Sequence, residues 1–72
     1  MNVYQRLRDL REDSDKSQEE IAKIIGTSQS YYAQYENGKR SNPFDRMVIL
    51  AKYYNVSLDY LAGLIDTPRK LK

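Results

Sequence analysis

The side chains best suited to chemistry lie between Gln18 and Arg40, and they are amides, hydroxyls and two closing cations. Gln18, Gln29, Gln34 and Asn37 carry amides, Ser28 and Ser30 hydroxyls, Tyr31 a phenol, and Lys39 and Arg40 follow directly. A glutamine amide presents a donor beside an acceptor, a pattern that fits N7 and N6 of adenine together. Nothing comparable supports catalysis. With no histidine and no cysteine, the commonest general base, the commonest zinc ligand and the thiolates are all missing. The carboxylates are scattered beside bases, so no paired acid–base site is visible. The chain reads as a binding domain rather than an enzyme, with no catalytic residue, no metal and no cofactor expected.

The wider composition is consistent with that. At 72 residues the chain is one small domain, near the lower end of what folds alone. An apolar fraction of 40% with 31% charged residues fits a globular chain rather than a disordered one. No apolar run approaches the roughly 18 residues of a membrane span. The opening Met1-Asn2-Val3-Tyr4-Gln5-Arg6 is polar and charged, unlike a signal peptide, so a cytoplasmic location is expected. The net charge is +2, but bases and acids balance up to Ile65, and the surplus falls in the tail, at Arg69, Lys70 and Lys72 against Asp66. Such a distribution does not by itself imply phosphate binding. Any recognition of nucleic acid must rest on geometry.

The elements that must position these side chains are helical. Val3, Leu7 and Leu10 share one face of a first helix, which should end near Ser14-Asp15, since Asp tolerates left-handed backbone. Ser17-Gln18-Glu19-Glu20 reads as a capping box opening a second helix that buries Ile21, Ala22 and Ile25. Gly26 closes it, Ser28 caps a third helix, and Asn37-Gly38 stops that one. Asn42-Pro43 opens a fourth, with Phe44, Met47, Val48, Leu50, Ala51 and Tyr54 as its inward stripe. Ser57 caps a fifth through Leu58, Leu61 and Leu64-Ile65. No stretch alternates long enough to be a strand. The expectation is an all-α bundle of five short helices over residues 1–66, with a frayed basic tail at 67–72.

Helices two and three hold the informative register. Counting from Gln18, Ile21, Ala22, Ile25, Gly26, Tyr32 and Tyr35 stand at positions 4, 5, 8, 9, 15 and 18. Small Ala22 lets two helices approach, Gly26 permits a tight turn between them, and the four larger residues fill the wedge behind. In this register the chain resembles the helix-turn-helix domain of the phage repressor and Cro family, also called XRE-like. The matching text is Leu10-Arg11, Ser17-Gln18-Glu19-Glu20-Ile21-Ala22 and Gly26-Thr27-Ser28. It resumes at Tyr35-Glu36-Asn37-Gly38-Lys39-Arg40, Pro43, Leu50-Ala51 and Asn55-Val56-Ser57-Leu58-Asp59-Tyr60-Leu61. The resemblance implies a lambda-repressor-like five-helix domain that binds operator DNA, usually as a homodimer, and regulates transcription.

Site roles follow from the same resemblance. Gln29, Ser30 and Gln34 match positions that reach base edges in the major groove, and exposed Tyr31 is an additional candidate. Gln18, Ser28, Asn37, Lys39 and Arg40 match positions that contact phosphates and set register. Arg11 and Glu36 match an ion pair joining the first helix to the end of the third, a structural role. Tyr32 and Tyr35 are read as core. Asn55-Val56-Ser57 also fits a glycosylation acceptor, but is read as a helix cap.

Two departures stand out. Thr27 replaces a frequent Val in the turn, and Ser28 to Asn37 contains no Arg or Lys. Without an Arg fork for guanine, a preference for A·T positions is expected. On helix four, Ile49 and Tyr53 lie about 140° and 180° from Phe44, on the outer side. They are either isolated surface apolar residues or a dimer seam shared with Leu64, Ile65 and Leu71, and both readings stand open. The function expected is that of a sequence-specific transcriptional regulator of the repressor type, cytoplasmic and nucleoid-associated when bound. Its rivals are an antitoxin or restriction controller with a protein partner, and an interaction module that kept the fold without reading DNA.

Overall fold

The computed structural model describes residues 2–68. Five helices follow one another, α1 (Val3–Asp13), α2 (Gln18–Ile25), α3 (Gln29–Glu36), α4 (Phe44–Tyr54) and α5 (Leu58–Leu61), with no strand among the described residues.

Each start has a local cause. The Asn2 side chain accepts the Gln5 amide of α1, and the Ser28 and Ser57 hydroxyls accept the Tyr31 and Tyr60 amides of α3 and α5. At α2 the full capping box forms: Ser17 Oγ accepts the Glu20 amide, and Glu20 Oε1 accepts the Ser17 amide, both at 3.1 Å. The Ser17 hydrogen bonds lower the Glu20 pKa below the usual carboxylate range. Only α4 lacks a side-chain cap. Pro43 stands just before it with φ −61°, already suited to helix entry.

The five ends share one device. A left-handed residue, in turn Asp15, Gly26, Gly38, Asn55 and Gly63, reverses the chain. The next amide then bonds a carbonyl five residues back: Lys16 to Arg11, Thr27 to Ala22, Lys39 to Gln34, Val56 to Ala51 and Leu64 to Asp59. This closure satisfies carbonyls that a helix end would otherwise leave orphaned. It also explains how so many short helices fit into one small chain.

The core is Leu7, Ile21, Ala22, Ile25, Tyr32, Tyr35, Met47, Leu50, Ala51, Val56 and Leu61, with Val3, Leu10, Tyr54, Leu58 and Tyr60 packed around it. All five helices contribute. Two expectations are corrected here. Phe44 is 70% exposed and outside the inward stripe: it is the first residue of α4, and inward packing begins only with Arg46, which reaches Tyr35, and buried Met47. The fifth helix stops at Leu61, where Gly63 turns the chain, so Leu64 is 77% exposed and Ile65 only half-buried, both outside the helix. Arg69, Lys70, Leu71 and Lys72, most of the expected tail, lie outside the described residues.

Arg6 is an unanticipated core neighbour, 3% exposed. Its guanidinium stacks 3.8 Å from the Tyr60 ring centroid and donates to Asp66 Oδ1 and the Ile65 carbonyl, each at 3.4 Å. It ties α1 to the segment after α5.

Candidate nucleic-acid interface

The site is built on α3, whose inner side is anchored by aromatic packing. Tyr32 and Tyr35 are buried, with ring centroids 6.3 Å apart and planes nearly perpendicular. Arg46 Nη1 donates to the Tyr35 hydroxyl at 2.8 Å, tying α3 to α4. With Tyr32, Tyr35 and Glu36 facing inward, Gln29, Ser30 and Tyr31 are left exposed and Gln34 half-buried. The expected outward face is therefore the one observed.

The end of α3 is held by a buried charge. The Glu36 side chain is fully inaccessible, and Arg11 reaches it from α1 with a two-pronged contact, Nε to Oε2 at 2.7 Å and Nη2 to Oε1 at 3.2 Å. Gln18 Nε2 donates to Glu36 Oε1 at 3.2 Å, so the same carboxylate also gathers the start of α2. The Arg11 Nη1 group donates to the Lys16 carbonyl at 2.9 Å. Burial opposes ionisation of Glu36 more than any one partner favours it. The hydrogen bonds from Arg11 and Gln18, with the Tyr32 hydroxyl close by, together prevail and hold its pKa below the usual carboxylate range. Tyr32 Oη lies beside this carboxylate without hydrogen-bond alignment. Its burial and that neighbouring charge push the phenol far above its ordinary range.

The Arg11–Glu36 pair thus has the geometry expected of it. Gln18, read as a phosphate contact that also braces the third helix, has one amide hydrogen engaged with Glu36 and sits half-buried at the α2 start. Ser28 serves as the α3 cap, and its hydroxyl lies 3.4 Å from that of Ser30. Asn37 is exposed, and its Oδ1 accepts from Arg8 Nη2 at 3.3 Å. Lys39 is exposed in the loop beyond.

Arg40, exposed in the same loop, donates from Nε to Gln34 Oε1 at 3.1 Å, and its guanidinium covers the Tyr31 ring at 4.4 Å. Arg8 was missed altogether. Besides Asn37 it approaches Glu36 Oε1, at 3.8 Å from Nε. Its spacing of three from Arg11 puts both on one face of α1, the signal that points to it. On α4, Ile49 and Tyr53 are 39% and 41% exposed, on the outer side as expected. Tyr53 rests edge-on against Tyr54, whose phenol burial raises well above its ordinary pKa.

A capped helix, a glycine turn and a second helix with a polar outer face, all backed by one core, define a helix-turn-helix domain. The family model described as helix-turn-helix matches residues 7–61. The chain belongs to that family, of the XRE-like type. It is 45% identical over 64 residues to the uncharacterized HTH-type transcriptional regulator YobD of Bacillus subtilis strain 168, an alignment covering 89% of this chain and 57% of YobD. It is 37% identical over 62 residues to the cryptic phage CTXphi transcriptional repressor RstR of Vibrio cholerae, covering 86% of this chain and 56% of RstR. The chain thus spans a little over half the length of these curated relatives.

Solved structures share the fold. A transcriptional regulator from Listeria innocua superposes with a TM-score of 0.85 at 22% identity, covering 89% of this chain and 60% of that one. The P22 c2 repressor, crystallised with a synthetic operator, superposes at 0.77 with 24% identity, covering 85% and 92%.

Proposed function

We propose that this domain is a sequence-specific DNA-binding transcriptional regulator of the repressor type, with α3 entering the major groove of an operator. The observation that carries this is the outward face of α3. Gln29, Ser30, Tyr31 and Gln34 project from a short helix held by Tyr32, Tyr35 and Glu36, so polar tips are presented on a rigid support. The YobD and RstR likenesses support the regulatory role. Gln29 and Ser30 are the base-reading side chains, with Gln34 and Tyr31 beside them. Gln18, Ser28, Asn37 and Lys39 flank that face, where donors to phosphate would set its position without reading sequence. A homodimer would present two such helices about 34 Å apart, one turn of DNA. Among the described residues no helix is long and apolar enough to cross a membrane.

The test is selection from a random DNA library at about 150 mM salt, where non-specific binding is suppressed. Gln29→Ala, Gln34→Ala double substitution is run in parallel. The expected result is enrichment of a two-fold-symmetric site by the native protein, lost or relaxed in the variant. Binding only at low salt, with no enriched site, would refute the proposal.

A further inference from the structure

We propose that Arg40, although it lies in the loop after α3, is a base-reading residue, and that Arg40 and Gln34 form a unit whose open guanidinium fork selects a guanine in the site. This deepens the reading of α3 as the groove-facing helix and rests on it.

The loop delivers the side chain to the reading face. Gly38, at φ +76°, turns the chain back, and the Lys39 and Arg40 amides both bond the Gln34 carbonyl, at 3.0 and 3.3 Å. Arg40 is thereby directed along α3. Its guanidinium lies over the Tyr31 ring at 4.4 Å, and that ring is braced edge-on by buried Tyr35 at 5.9 Å. A planar group held over a braced ring beside Gln34 has lost much of the freedom of a surface arginine.

Hydrogen-bond arithmetic then sets the preference. Arg40 Nε is engaged with Gln34 Oε1, while its two Nη groups have no acceptor among the described residues. The Nη fork stays open for a bidentate contact. Gln34 Oε1 accepts from Arg40 through one of its two lone pairs, which ties the amide to the guanidinium, and its Nε2 hydrogens are free. The Arg40 fork itself offers donors alone. In the major groove guanine offers two acceptors, N7 and O6, whereas adenine sets the N6 donor beside N7. The unit therefore fits guanine and repels adenine, the reverse of the A·T preference expected from a helix without arginine.

The experiment measures binding of native protein, Arg40→Lys and Arg40→Ala to the site enriched by native protein and to derivatives with each G·C pair replaced. Native protein should show one G·C pair whose replacement weakens binding about 5- to 150-fold, the range of a good bidentate contact. Both variants should be nearly indifferent at that pair, and Arg40→Lys should keep the native salt slope because its charge remains. If Arg40→Ala instead weakens all sequences alike and reduces the slope of log K against log salt by about 0.9, Arg40 is a phosphate contact and the proposal is overturned. An enriched site without such a pair overturns it while leaving the α3 reading intact. No enriched site at all overturns both.

Discussion

Replacing Arg11 by Met tests the energetic centre of the fold, because it strands a carboxylate that water cannot reach. Glu36 is fully inaccessible, and Arg11 supplies two of its three hydrogen bonds. What is left is Gln18 Nε2 at 3.2 Å and the Arg8 guanidinium at 3.8 Å. Removing one partner of a buried pair costs about 3–5 kcal/mol, mostly from the unpaired charge left behind. A domain of this length has a total stability of roughly 4–11 kcal/mol. Arg11→Met should therefore lower the urea midpoint by about 3–5 M at pH 7, or abolish the transition if native stability is at the low end, taking a slope of about 1 kcal/mol/M for a chain this small. Glu36→Gln should cost less, since it removes the buried charge and Arg11 keeps the Lys16 carbonyl. The sign of the pH effect separates this mechanism from lost packing. In the native protein the Glu36 pKa is depressed. Its contribution is present above the unfolded carboxylate pKa and is lost as pH falls through the lower folded value. In Arg11→Met the main lowering partner is gone while burial still raises the pKa, so protonation relieves the strain. The gap between variant and native stability should narrow on going from about pH 7 to about pH 4.5. Far-UV circular dichroism during urea titration measures it. A deficit below about 1 kcal/mol at neutral pH, or one unchanged by pH, would mean that the pair acts as an exposed salt bridge and the reasoning is wrong.

Three further outcomes are expected. Gly26→Ala should cost about 1 kcal/mol, the strain of a left-handed L residue in open space, whereas Gly38→Ala should cost roughly 1 kcal/mol more because its Cβ would meet the Tyr4 ring at 3.3 Å; thermal melts of the two variants give the order. Lys39→Ala should weaken operator binding across all sequences and reduce the log–log salt slope by about 0.9, measured by titration at several salt concentrations. Tyr53→Glu should leave the circular dichroism spectrum native, since Tyr53 is 41% exposed, but lower any self-association seen by sedimentation velocity; an unchanged sedimentation profile removes this face from consideration as a dimer seam.

Most element boundaries were legible from residues alone, because each is encoded within a few positions; the end of α5 was not, since Gly63 stops the helix before Leu64 and Ile65. Ser17 and Glu20 find one another across three residues, Ser28 and Ser57 cap the helices that follow them, and Gly26 and Gly38 take the left-handed turns they suggest. The buried set was legible as well, from Leu7 through Tyr32 and Tyr35 to Leu61, since a 3.6-residue period states which side chains share a face. The same period misled at Phe44, because it gives a direction and says nothing of where along the helix inward packing begins.

What the tertiary structure alone decided is how long side chains pair once the helices have met. Arg6 sinks beneath Tyr60 while Arg8, two residues on, reaches Asn37. Gln18 turns to Glu36, and Arg40 folds over Tyr31 onto Gln34. An arginine or glutamine can reach several partners from one backbone position, and only the approach of another helix or the reversal of a loop selects among them. The sequence therefore determined the scaffold and which face of α3 is presented. Which hydrogen-bonding groups on that face remain free for a base depended on contacts between residues up to 29 positions apart.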